Sequence, residues 1–381
     1  MTPKERMLTA LARGVPDRVP ATVHQWQSFH LNTWLGGISD LEAFRRFGLD
    51  ASLARFPLLP CESPDWIVEQ QQIESIPGER RFLETVTTPD GVLTHVVGEN
   101  PITRWNISHL VQRREDLEIL ERHMPVPRLD REAVQREYDA LGDDGILRGF
   151  VCGEQGGCWQ EATCLVGTQE LIYLAADDPE WVHALLRVLL RRKLRFIEES
   201  LPGARYDLIE TGGGAASSTV ISPRFHREFC LPYDREIHDA LHAAGHKVVY
   251  HTCGGMMPIL DLIAANGCDA CETLTPPAMG GDARPAELKA RIGRRLALIG
   301  GLDQSSVLEV GTPEQVWDHV HEMFAAYGPG GGYIMSPSDH FFHVPPRNLM
   351  AYAAAARECV YGPGGEAVPR VAPVQAGAWL E

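Results

Sequence analysis

His251 and Cys253 stand two residues apart within Tyr250-His251-Thr252-Cys253-Gly254-Gly255. On a strand, residues i and i+2 point to the same side. An imidazole and a thiolate so placed can reach one ion, at about 2.0–2.1 Å for zinc–nitrogen and about 2.3 Å for zinc–sulfur. The alternative is a hydrogen-bonded interior histidine beside a small apolar cysteine. Other apolar runs end in equally polar groups: Glu210-Thr211-Gly212-Gly213-Gly214, Gly300-Gly301-Leu302-Asp303 and Ser336-Pro337-Ser338-Asp339-His340, while Cys271-Glu272-Thr273 closes another. Glu210 and Asp303 are the catalytic candidates. Glu210 suits a general base or a hydrogen bond to a substrate amine, against a solvated strand-end carboxylate. Asp303 suits a hydrogen bond to substrate, against a helix cap.

These groups need strands to aim them. Short apolar or β-branched runs recur at 18–24, 49–56, 145–153, 206–212, 247–254, 268–274, 296–303 and 333–339, with helical patterns between most of them. Asp178-Pro179 opens a long helix with a cap followed by proline at the first helical position, and Ser222-Pro223 and Thr312-Pro313 open two more. Eight β/α units in series predict a (β/α)8 TIM barrel, an α/β fold whose chemistry collects where strands end. The expected plan is a single barrel domain over 1–365 and a mobile Pro/Gly/Ala-rich tail over 366–381. Between the second and third strands lies an inserted segment, 57–144. It contains a hairpin, since β-type residues over 82–97 flank Pro89-Asp90-Gly91.

Composition narrows the function. The net charge of −16 excludes a general nucleic-acid binder. A hydrophobic share of 44% can bury a large core. No run of 18 or more uncharged apolar residues exists, so no membrane span is expected, and the N-terminus lacks a signal-peptide core. Nine cysteines is an odd number for a disulfide scaffold and fits a reducing cytoplasm. An acidic barrel of this kind often dimerises.

The segment around His251 and Cys253 resembles the H-x-C-G motif of the uroporphyrinogen decarboxylase superfamily, and within it the zinc-dependent corrinoid methyltransferase branch. Arg13-Gly14-Val15-Pro16-Asp17-Arg18-Val19-Pro20 is similar to that superfamily's opening segment. Ser222-Pro223 with Phe225, Phe229, Leu231, Pro232 and Tyr233 resembles its helix after the fourth strand, and Pro345-Pro346-Arg347-Asn348 its last helix start. The match covers most of the chain and is strongest over 206–348. It implies zinc bound by His251 and Cys253, with Glu272 at the position where the similar cobalamin-independent methionine synthases place a glutamate ligand. Their last-strand cysteine falls here on Asp339, a departure, which leaves Asp339 or His340 as the further ligand. One thiolate with carboxylates makes a harder site than two thiolates and suits oxygen donors.

The resemblance implies methyl transfer between a small O- or S-methyl substrate and a methylcorrinoid carried by a partner protein. Asp239 and His242 miss the corrinoid-ligand spacing by one residue, so the corrinoid is expected on that partner. The decarboxylase alternative requires cations for a carboxylate-rich porphyrinogen. Its Arg-rich opening is replaced here by Val23-His24-Gln25-Trp26-Gln27. His24, Gln25 and Trp26 are expected instead to line a smaller substrate pocket with Glu154 and Tyr250, against a core role for Trp26. A third alternative is a non-catalytic barrel that binds a small molecule and holds no metal.

Overall fold

Runs rich in Val, Ile and Leu form strands buried on both faces, as a parallel sheet covered by helices requires. The computed structural model describes residues 1–369. In chain order the strands are β1 (Ala51–Ala54), β2 (Ile67–Ile76), β3 (Glu79–Thr88), β4 (Gly91–Glu99), β5 (Arg104–Asn106), β6 (Gly145–Phe150), β7 (Leu208–Gly212), β8 (Val248–His251), β9 (Ala270–Thr273), β10 (Ala297–Leu302), β11 (Tyr333–Pro337), β12 (Cys359–Tyr361) and β13 (Ala367–Pro369). Seven form one curled parallel sheet, ordered β1-β6-β7-β8-β9-β10-β11. The four strands between β1 and β6 pair antiparallel as a separate sheet, β2-β3-β4-β5. In it Thr88 pairs with Gly91 across the turn at Pro89-Asp90.

The expected first strand, 18–24, does not form. Only isolated bridges occur there, Ala21 with Met335 and Arg18 with Val360. Pro20 has no N–H to give a ladder. The segment still spans the two sheet edges: Thr22 N donates to Met335 O at 2.9 Å and Asp50 N to Ala21 O at 2.8 Å. The fully buried Asp50 carboxylate ties this junction, accepting from Ala21 N at 2.9 Å, Arg6 Nη1 at 2.5 Å and Arg18 Nη1 at 3.0 Å.

Strand alternation then sorts the side chains. Ile146, Leu208, Val249, Ala270, Ala297 and Ile334 meet Met7, Ala10 and Leu11 of helix Pro3–Leu11 in one apolar cluster. Two residues further along the same strands, on the same face, come Arg148, Glu210, His251, Glu272, Ile299 and Ser336. The concave side of the sheet therefore has an apolar floor with a largely polar layer above it. Leu147, Ile209, Tyr250, Cys271, Leu298 and Met335 have the opposite parity and join the larger core with the helices.

The helices start as their caps dictate. Asp178 accepts from Trp181 N at the head of Pro179–Ser200, and Thr312 and Gln315 form a reciprocal box at the head of Pro313–Tyr327. Such a cap contributes about 1 kcal/mol. Of the expected tail, 367–369 pairs antiparallel with β12, and 370–381 lies outside the described residues. No helix among the described residues is long and apolar enough to cross a membrane.

Candidate metal centre

Arg148, in the middle of β6, is 2% exposed. Its Nη2 donates to Glu210 Oε2 and to Glu272 Oε1, both at 2.7 Å. A lone buried ion costs several kcal/mol, so the two carboxylates and the guanidinium require one another. Burial opposes ionisation of Glu272, but Arg148 first, then His24 and His251, hold its carboxyl well below the usual range.

His251 ends β8 above Val249. Its Nδ1 lies 3.1 Å from Glu272 Oε1 and 3.6 Å from Glu210 Oε1. Nδ1–H therefore donates to Glu272, which fixes the ring's orientation. Among the described residues, Nε2 is buried and makes no hydrogen bond of ordinary geometry, although the Cys253 thiol acts on the ring. A histidine held from behind by a carboxylate, with its second nitrogen free, is the usual arrangement of a metal ligand. His251, Cys253 and Asp339 offer ligand atoms within 4.8 Å of one another. The Cys253 thiol lies against Gly214, where an added Cβ would stand 2.5 Å from Sγ. Any larger residue at 214 would strike the sulfur.

Two other groups meet the same distance limit: His24, Glu210, His251 and Glu272, and His24, Asp339 and His340. The first already holds the Arg148 guanidinium, which repels a second cation. The set with Cys253 is free of that conflict. Nitrogen, sulfur and oxygen donors together suit zinc, a borderline-soft ion. The electrostatics favour a positive charge at this point, whether a proton or a metal ion. Burial alone would lower the His251 pKa, but Cys253, Glu272, Glu210 and Asp339 outweigh it and hold it well above the ordinary value. Asp339 is likewise kept below the usual carboxylate range, against burial, by His251, His24 and His340. Burial, reinforced by His24, pushes His340 down to about 4. Its Nδ1 lies 3.0 Å from Gln27 Nε2.

His24, expected to bind substrate, stands inside this cluster. Its ring centroid is 5.2 Å from that of His251 and 4.9 Å from that of His340. Three other expectations need correction. Tyr250 is fully buried on the helix-facing side of β8, its ring near His226 and His238, because adjacent strand residues face opposite ways. Trp26 is core: its ring packs on Phe44, Phe47 and Phe341 and is 5% exposed. Asp303 caps the turn that follows β10, accepting from Ser306 N at 2.8 Å and from Ser306 Oγ. Gln25 is half-buried and its side chain makes no hydrogen bond among the described residues, which leaves it available to a substrate, while Gln27 reaches His340. Glu154 is exposed and lines a 520 Å³ cavity with Trp105, His109, Gln160 and Ala215.

Because Asp303 is occupied as a cap, Asp303→Ala is expected to cost about 1 kcal/mol of stability and to leave turnover of the folded enzyme unchanged. Urea unfolding and activity of the same preparation check this. A large loss of turnover at full stability would return Asp303 to the catalytic set. Arg148 was not among the candidates. Its signal is an arginine inside Gly145-Ile146-Leu147-Arg148-Gly149-Phe150, since a charge within a buried strand must have a partner.

Comparison with known proteins adds four findings. Residues 99–359 match the family described as Uroporphyrinogen decarboxylase (URO-D). The chain is 27% identical over 379 residues to a protein of Alkalilimnicola ehrlichii named uroporphyrinogen decarboxylase, covering 93% of each chain. A protein of the same name from Chromohalobacter salexigens is 27% identical over 356 residues, 87% of this chain and 90% of its own. Among solved structures, a methyltransferase from Methanosarcina mazei superposes with a TM-score of 0.62 at 17% identity, over 94% of this chain and 99% of that one.

Proposed function

The chain belongs to the uroporphyrinogen decarboxylase family, and from that premise we propose that it is a zinc-dependent methyltransferase within it. It moves a methyl group between a small O- or S-methyl substrate and a corrinoid carried by a partner protein. The observation that carries this reading is the buried, unpartnered Nε2 of His251 beside Cys253 and Asp339. These three residues would hold the zinc, with His340 and His24 next to them. Zinc, when bound, supplies Lewis acidity toward a substrate thiol or oxygen. Glu272 keeps the His251 proton on Nδ1 and so keeps Nε2 a donor. Arg148 keeps Glu272 ionised for that task. The apolar floor excludes water from below, and Gly214 gives the thiol room.

The same reading extends to architecture. The curled sheet is a (β/α)8 barrel with 18–24 as its remaining stave, 1–365 one domain, and 57–144 a cap inserted near the mouth. The free cysteines fit a reducing, cytoplasmic setting.

Decarboxylation of a porphyrinogen is the second reading, favoured by the names of the relatives. It needs cations to receive carboxylates. The buried cation here, Arg148, has both its hydrogen bonds on Glu210 and Glu272. One preparation tests both readings. Protein purified without chelators should carry close to one zinc per chain. It should transfer methyl between free cobalamin and a methyl thioether, methyl ether or thiol, with no loss of carboxyl groups from uroporphyrinogen. Metal-free protein that consumes uroporphyrinogen would overturn the proposal in favour of the decarboxylase. Metal-free protein with neither activity would favour a binding role.

A further inference from the structure

A cavity of 730 Å³ opens at the N-terminal ends of β10 and β11, the opposite end of the sheet from Cys253. It lies between the C-terminal ends of helices Pro3–Leu11 and Pro285–Ile292 and the glycine-rich turn that leads into β11. Its charged lining is Arg13, Lys289 and Arg294, and no carboxylate lines it. Among the described residues, neither guanidinium has a hydrogen bond or an ion pair. Elsewhere this acidic chain pairs most of its arginines, Arg6, Arg18, Arg55 and Arg148 among them.

Arg13 and Arg294 are exposed and Lys289 is half-buried. Arg13 follows the C-cap Ala12 in a left-handed conformation, φ +63°, where glycine is the usual residue. Lys289 packs its stem on Gly293, where an added Cβ would stand 2.5 Å from Cδ. Its Nζ donates to Gly331 O at 2.5 Å and has no acidic partner. Burial lowers its pKa to about 8. The two helix ends contribute roughly half a negative charge each, which three cations exceed.

We propose that this cavity binds an anion carrying two or more linked phosphoryl groups, held by Arg13, Lys289 and Arg294. Guanidinium forks match phosphate oxygens in pairs, and the ammonium adds a compact point charge. No aromatic side chain lines the cavity, so recognition rests on the phosphates rather than on a stacked base. The site is independent of the metal centre and of the reaction proposed for it.

Calorimetric titration of the full chain with inorganic pyrophosphate, at fixed ionic strength, tests the proposal. Saturable binding is expected, with inorganic phosphate weaker and adenosine triphosphate no tighter than pyrophosphate. Arg13→Gly suits the left-handed backbone and should keep the melting temperature. It should weaken pyrophosphate about tenfold, the loss expected for one charge-assisted contact. Lys289→Met should do the same. Heats no larger than those of matched sodium chloride would overturn the assignment, and so would equal affinity in wild type and Arg13→Gly.

Discussion

Arg148→Met is expected to destabilise the fold by about 3–5 kcal/mol, the penalty for leaving a buried ion pair without one partner. Glu210 and Glu272 are 4% and 1% exposed, and both of their hydrogen bonds to Arg148 would be lost. Methionine fills much of the volume, so the charge rather than a cavity carries the effect. The pH dependence identifies the cause. In the wild type the folded pKa of Glu272 lies below its ordinary value. Its contribution is therefore present above the ordinary carboxyl range and is lost only as pH falls through the depressed folded value. Without the guanidinium, burial dominates and the folded pKa rises above the unfolded one. The variant's stability then falls as pH rises, and its deficit is larger at pH 7 than at pH 5. Urea midpoints at both pH values measure this. A deficit under about 1 kcal/mol at pH 7 would mean that the two carboxylates are not held by Arg148.

Cys253→Ala is expected to abolish stoichiometric zinc and, with it, methyl transfer. Loss of a carboxylate behind a histidine ligand typically lowers metal affinity 10–100-fold, and loss of a direct thiolate ligand exceeds that. Glu272→Gln should fall within the smaller range, since it touches His251 and not the thiol's side of the site. Cys271→Ala is the control. That thiol is fully buried on the opposite face of β9, so the variant should keep its zinc. Elemental analysis after gel filtration separates the three. Full zinc in Cys253→Ala would sink the metal centre as drawn here.

What the sequence revealed follows from how local each signal is. The two-residue spacing of His251 and Cys253 is a property of one strand and was legible directly. The same rule, applied to the neighbour, turns Tyr250 away from the site. Asp303 was also legible as a cap, because Ser306 stands at the capping distance. Trp26 was legible as core by its type, but not its packing partner, because Phe341 comes from the far end of the chain. Arg148 was written plainly inside an apolar run, but its two partners lie on β7 and β9, and only the register of the sheet brings them together. The segment 18–24 reads as a strand by its apolar residues, yet Pro20 limits it to single bridges. Asp50 then does with one carboxylate what a ladder would otherwise do.

The apolar floor laid by Met7, Ala10 and Leu11 makes the interior above it a blind well. A ligand that meets His251 would therefore come from the side of the strands' C-terminal ends. For the methyl transfer proposed above, the small substrate would have to enter first and the carrier's corrinoid close over it from the same side, the methyl passing directly between them. Steady-state kinetics with both reactants varied should accordingly give intersecting lines in a double-reciprocal plot rather than parallel ones.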